Sequence, residues 1–292
     1  MEPSEDHADE AVEVPGDAPP AGPGERGLKP AEAIAAARVR APTRGNRKLE
    51  TLLERANADP ELRAWWHMAQ LTSERLQMSD HSWVHIQVVT NIALRLLRLL
   101  VKGGVEPAMV TDHAMSPRDA EVVVAAGVML HDVGMSIHRV DHEAFSLPLA
   151  ERKLRELLEP VYDQPERAVV IAEVLHTIIG HRRRGEPYTV EGGVVRVADA
   201  LDMAHGRSRI PVSSGQVGIH ALSAAAINRV SIEAGTERAI RVEIEMNNSA
   251  GIFQVDDLLA TKLRDTPLEG HVELIAKVEG ESEKRLLGEF RL

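Results

Sequence analysis

Nine consecutive residues, Val122 to Leu130, carry no polar side chain, and the run ends on the pair His131-Asp132. A helix that is apolar on every side is stable only when other elements surround it, so this stretch predicts the centre of a bundle. It also predicts chemistry at its end, because polar groups on so buried a helix need partners. Ser116-Pro117-Arg118-Asp119 opens the helix with capping-box spacing and a proline in the first turn. Gly134, just past the pair, would permit the backbone to turn there.

The flanking sequence supplies the surrounding helices. Asp59-Pro60 starts one that carries Leu62, Trp65, Trp66 and Ala69 on one face. Asp80 is expected to cap the next, whose apolar positions from Val88 to Leu100 run to a stop at Gly103-Gly104. Further helices are expected over 145–159, 165–179 and 191–203. Beyond Pro211 the period changes from helical to alternating. Ile240, Val242, Ile244 and Met246 alternate with Arg241, Glu243 and Glu245, and Val272 to Val278 repeats the pattern. With strands at 230–234 and 285–292 and helices at 221–228 and 255–263, this part reads as a small α+β domain in the order αββαββ. The fold class is therefore mostly α, divided into a disordered acidic tail over 1–45, a helical domain over 46–210 and the α+β domain over 211–292.

The net charge of -11 sits mostly in the tail, where eight acids before residue 28 face the single base Arg26, and the remainder is nearly neutral. Neither that balance nor the C-terminal strands, which lack stacking aromatics, suits a nucleic-acid partner. Arg95, Arg98 and Lys102 interrupt the Leu-rich segment, so no membrane span is expected. The acidic start lacks the positive segment of a signal peptide, and a cytoplasmic protein is expected. The absence of cysteine leaves nitrogen and oxygen as metal donors. Several of the thirteen histidines fall between residues 81 and 181.

Three segments in this order resemble the HD superfamily of metal-dependent phosphohydrolases: His81-Ser82-Trp83-Val84-His85, Leu130-His131-Asp132-Val133-Gly134, and Val197-Ala198-Asp199-Ala200-Leu201-Asp202. The likeness covers about residues 80–205 and implies an HD-type helical bundle. It also implies a metal site of His85, His131, Asp132 and Asp199. Members with a second metal place further histidines between the doublet and the last Asp. His142 and His181 are similar to these, with Asp132 bridging, so Asp132 and His142 are expected at the catalytic centre. The implied cofactor is a divalent metal (Mn, Mg, Co, Zn or Fe), as two ions, and the implied reaction is attack of a metal-activated hydroxide on a small phosphorylated substrate, a nucleotide among the candidates.

Other residues are weighed against this frame. His81 lies four residues before His85 and suits a supporting role. His176, five before His181, points elsewhere on a regular helix. His138 is a candidate phosphate contact, as are Arg139, Arg182 in the run Arg182-Arg183-Arg184, Arg207 and Arg209, since guanidinium groups grip phosphate oxygens. Asp202 either orients a ligand or is solvated. The C-terminal domain is read as a dimerisation module, which would make a homodimer, a regulatory module or a lid. Two rival functions share the ligand set: a di-iron oxygenase of the same superfamily and a non-catalytic nucleotide-binding sensor.

Overall fold

Residues 12–13, 29–182, 184–203, 223, 226–278 and 289–291 are described by the structure, a computed structural model. Nine helices are labelled within them: α1 (Pro30–Ala33), α2 (Arg47–Ala58), α3 (Pro60–Leu76), α4 (Trp83–Lys102), α5 (Ala108–Thr111), α6 (Pro117–Leu130), α7 (His142–Leu157), α8 (Glu166–Gly180) and α9 (Val190–Leu201). The apolar run forms α6, whose residues from Val122 to Leu130 are all buried, with α2, α4, α5, α8 and α9 packed around it. Gly127 lets α8 come close: a Cβ there would lie 2.1 Å from Thr177 Oγ1.

Local signals place most helix starts. Asp59 Oδ1 accepts the Leu62 N–H at 2.8 Å, and Ser116 and Asp119 form the capping box expected of them. At α4 the cap is Ser82 rather than Asp80. Asp80 instead accepts the Ser82 N–H at 2.8 Å and its hydroxyl at 2.9 Å, holding the capping residue in place. The helix expected to open at Phe145 opens at His142, after Asp141 in the left-handed region at φ 59°. Its first turn thus carries a histidine into the core.

The segment assigned to a tail is only partly tail-like. Ile34, Ala37 and Val39 are buried, and the last two belong to the helical core. Asn57 Oδ1 accepts the Val39 N–H and its Nδ2 donates to the Val39 carbonyl, both at 2.8 Å, stitching this stretch to α2. Val12–Glu13 also takes up structure, as strand β1.

The strands β2 (Ile227–Ala234), β3 (Ile240–Met246), β4 (Val272–Val278) and β5 (Glu289–Arg291) join β1 in a five-stranded sheet of order β1-β2-β3-β4-β5. Ile227 and Asn228 thus belong to a strand where a helix was expected; of the rest of that expected helix, Ser223 and Ala226 alone are described. All neighbours are antiparallel except β3 and β4, which are parallel. Parallel strands cannot be joined by a tight turn. The connection between them therefore crosses over through a 3-10 turn, a π-helical segment (Gln254–Ala260) and a short helix (Thr261–Leu263), close to the helix expected over 255–263. Ile240, Val242, Ile244 and Met246 are buried as their alternation predicts, and β2 and β3 pack on α4. By length and composition α4 could cross a membrane, but most of it is buried here as a core helix.

Candidate metal centre

Five imidazoles converge on the Asp132 carboxylate. His131 closes α6 and Asp132 follows at φ -104°, ψ 5°, where the helix stops. The stop brings both side chains of the doublet to one point, with His131 Nε2 3.1 Å from Asp132 Oδ2. Gly134 has no positive φ, so turning the chain is not its role. A Cβ there would lie 2.0 Å from the His142 carbonyl oxygen, so its role is to let the doublet press against α7. Ser146 of α7 locks this approach, accepting the Gly134 N–H and donating to the His131 carbonyl, both at 2.8 Å.

The two carboxylate oxygens face different sides. Oδ2 looks towards Nε2 of His131, of His85 at 3.8 Å and of His81 at 4.0 Å. Oδ1 looks towards Nε2 of His142 at 3.1 Å and of His181 at 3.8 Å. Asp199, on α9, places Oδ1 3.5 Å from His85 Nε2. The candidate ligands thus come from α4, the end of α6, the start of α7, the end of α8 and α9. Three groups have ligand atoms within 4.8 Å of one another: His85, His131 and Asp199; His131, Asp132 and His181; His142, Glu143 and His181.

The other nitrogen of every ring is tied down. Nδ1 of His85 donates to Asp202 Oδ2 at 2.6 Å, that of His131 to the Val128 carbonyl at 2.7 Å, and that of His181 to the Ile178 carbonyl at 2.6 Å. His81 uses the Ser79 carbonyl at 2.7 Å and His142 that of Arg139 at 3.0 Å. A carbonyl can only accept, so Nδ1 carries the hydrogen and Nε2 is the atom left to bind a cation. Nε2 of His85 and of His131 is buried with no hydrogen-bond partner. An orphaned buried nitrogen costs about 1–3 kcal/mol, and a cation would relieve two such costs at once. The residues present therefore fit divalent metal ions held by imidazole and carboxylate.

The electrostatics agree. Burial would raise the Asp132 pKa, but the charge and hydrogen bond of His131, the hydrogen bond of His142 and the charge of His81 outweigh it and hold the carboxyl well below its ordinary value. Burial likewise favours neutral His131, yet Asp132, Asp199 and the Val128 carbonyl raise its pKa. His181 is pushed well below the ordinary value, first by burial and then by His131. The pocket is set to keep an anion and to receive positive charge.

His81 lies before the N-cap of α4, so its spacing from His85 is not a helical repeat; the Ser79 carbonyl turns it towards Asp132 instead. Asp202 orients His85. His176 accepts the Tyr188 N–H at 3.0 Å and stacks on that ring, away from the cluster. His138 is exposed and accepts the Val140 N–H within its own turn. Arg139 Nη1 stands 2.9 Å from His142 Nδ1, an atom that already donates to the Arg139 carbonyl, so this approach is a contact without a shared hydrogen. Arg182 is half-buried and its carbonyl accepts from Arg196. Arg207 and Arg209 lie outside the described residues.

Two members of the neighbourhood escaped the sequence reading. Glu143 completes the group of His142 and His181, and its adjacency to His142 was the available signal. Lys262 makes an ion pair with Asp199, and no motif marks it.

The HD domain family matches residues 80–204. An uncharacterized protein of Methanocaldococcus jannaschii is 36% identical over 236 residues, which is 81% of this chain and 86% of that relative. No solved structure gives a significant match.

Proposed function

Since this chain belongs to the HD domain family, whose members are in general metal-dependent phosphohydrolases, we propose that it hydrolyses a small phosphate ester at the histidine cluster around Asp132. The observation that carries the reading is the pair of buried, partnerless Nε2 atoms on His85 and His131, set beside two carboxylates. His85, His131, Asp199 and Oδ2 of Asp132 form one half of the site. His142, His181 and Oδ1 of Asp132 form the other, and the division of five imidazoles between two oxygens of one carboxylate supports two ions.

Bound divalent cations supply Lewis acidity, lowering the pKa of water and neutralising phosphoryl oxygens. The chain's own residues prepare the place. Val128, Ile178 and Arg139 fix three rings through backbone carbonyls and Asp202 fixes a fourth. These restraints hold each Nε2 in direction before any ligand arrives, so little reorganisation is needed. Arg139, beside His142, and Arg182, after His181, are the candidate contacts for the substrate's charge, with a nucleotide among the candidate substrates.

The test is a phosphate-release screen over nucleotides and phosphomonoesters with Mn, Mg, Co, Ni and Zn, run beside His131→Ala. Metal-dependent release that disappears in the variant is expected. Imidazole and carboxylate suit iron as well, so protein purified without oxygen is also assayed for metal. Iron content with oxygen consumption and no phosphate release would overturn hydrolysis.

A further inference from the structure

The crossover between β3 and β4 delivers a lysine to the cluster. Lys262 Nζ pairs with Oδ2 of Asp199, and its side chain is only 16% exposed. Asp199 presents its other oxygen, Oδ1, to His85. The ammonium therefore occupies the outer side of a carboxylate whose inner side faces the cluster. It also lies close enough to His181 to add to the effects that keep that ring neutral. One cationic head thus adjoins both halves of the site.

This placement is braced. Arg196 lies one helical turn before Asp199 on α9 and is itself buried. Its Nε donates to the Lys262 carbonyl at 2.9 Å, and its Nη1 donates to the carbonyls of Gly180, at 3.2 Å, and Arg182. A single guanidinium thereby fixes the end of α8, beside His181, and the backbone of Lys262 in one frame. An ammonium with no other task would reach solvent by the flexibility of its stem. Here both its backbone and its head are held at α9.

We propose that Lys262 is a phosphoryl-binding residue that the C-terminal sheet region contributes to the site. This rests on the hydrolase reading above and deepens it. When a phosphoryl group enters beside the ions, Lys262 shares its charge between Asp199 and a phosphoryl oxygen, three donors on one nitrogen making both contacts possible. The C-terminal region is then part of the reaction centre, and the crossover that parallel pairing of β3 and β4 demands is what brings it there.

Full-length protein loaded with Mn(II) is titrated with inorganic phosphate by calorimetry, as wild type, Lys262→Met and Lys262→Arg, with metal stoichiometry and a thermal melt for each. Lys262→Met is expected to keep the stoichiometry and to weaken phosphate by about tenfold to a hundredfold, the range of one lost charged hydrogen bond. Lys262→Arg should recover most of that loss. Lys262→Gln keeps a polar head without the charge and is read in the same way if the methionine variant does not fold. Unchanged phosphate affinity in Lys262→Met and Lys262→Gln, with or without a gain in Mn(II) affinity, would show a structural or metal-competing lysine and overturn the proposal alone. Wild type that binds Mn(II) but no phosphate would overturn the hydrolase reading and this proposal with it.

Discussion

At the residue scale the site depends on atoms that never face its centre. His85 shows this best. Its Nε2 is one of the two partnerless nitrogens, but its direction is set by Asp202, which accepts from Nδ1 at 2.6 Å on the far side of the ring. A carboxylate in that position fixes the ring and makes the free nitrogen a better donor, and loss of such a partner commonly lowers metal affinity by about 10–100-fold. Asp202→Ala is therefore expected to weaken Mn(II) binding by that order while leaving the melting temperature of the metal-free protein within a few degrees of wild type. Titration with Mn(II) reads the first and a melt in chelator reads the second. Wild-type affinity in Asp202→Ala would mean that the ring is held by packing alone. The sequence left Asp202 between this role and solvent exposure, because three residues of helix separate it from Asp199 but nothing in the spacing says whether His85 comes within reach.

At the element scale each helix of the bundle is set by its ends, and α6 carries the clearest case. Asp119 accepts from the Ser116 N–H and hydroxyl at 2.9 and 2.7 Å, and from Lys48 and the Tyr162 hydroxyl at 2.6 and 2.8 Å. Burial alone would raise its pKa, but Lys48, Ser116 and Tyr162 prevail and lower it from the ordinary 3.8. A carboxyl with a depressed folded pKa stabilises above its unfolded value, and that contribution is lost as pH falls through the folded pKa. Asp119→Asn should thus cost about 1–3 kcal/mol near neutral pH, much of it from the cap rather than from half-exposed Lys48. The gap from wild type should narrow as the pH drops below about 4, where the wild type starts to lose the contribution. Urea melts across that range would show it, and a gap independent of pH would remove the ionised carboxylate from the account. Ends like this one were legible in the sequence because the signal is local: Ser116, Asp119 and Pro117 stand within four residues, as do Asp59, Pro60 and Leu62. The start of α7 was not, since Asp141 caps it through a left-handed backbone with no side-chain bond. The same distinction governs the site. His85, His131, Asp132, His142, His181 and Asp199 sit in recognisable neighbourhoods, and the structure gathers them. Lys262 sits in none, because only the crossover between β3 and β4 brings it near Asp199.

For the whole molecule the two kinds of packing share one core. Ile244 and Val242 of the sheet belong to the same buried cluster as Leu97 and Leu100 of α4 and Val124 of α6, and Arg196 and Asp199 clasp the crossover from the helical side. A sheet stripped from α4 would expose apolar surface on both, so helices and sheet are expected to unfold in one transition. A metal that binds only the folded cluster must then stabilise the sheet as much as the bundle. At a free Mn(II) concentration about 100-fold above its dissociation constant the gain is about 2.7 kcal/mol, or roughly 5–10 °C for a domain of this class. Trp65, Trp66 and Trp83 all lie on the helical part, so their fluorescence follows the bundle, whereas hydrogen exchange of the β3 amides follows the sheet. Mn(II) should raise the fluorescence melt and slow β3 exchange by the same free energy, and a chelator should reverse both. Exchange of β3 that ignores the metal while the fluorescence melt moves would divide the molecule into two independent units and leave Lys262 without a fixed place at Asp199.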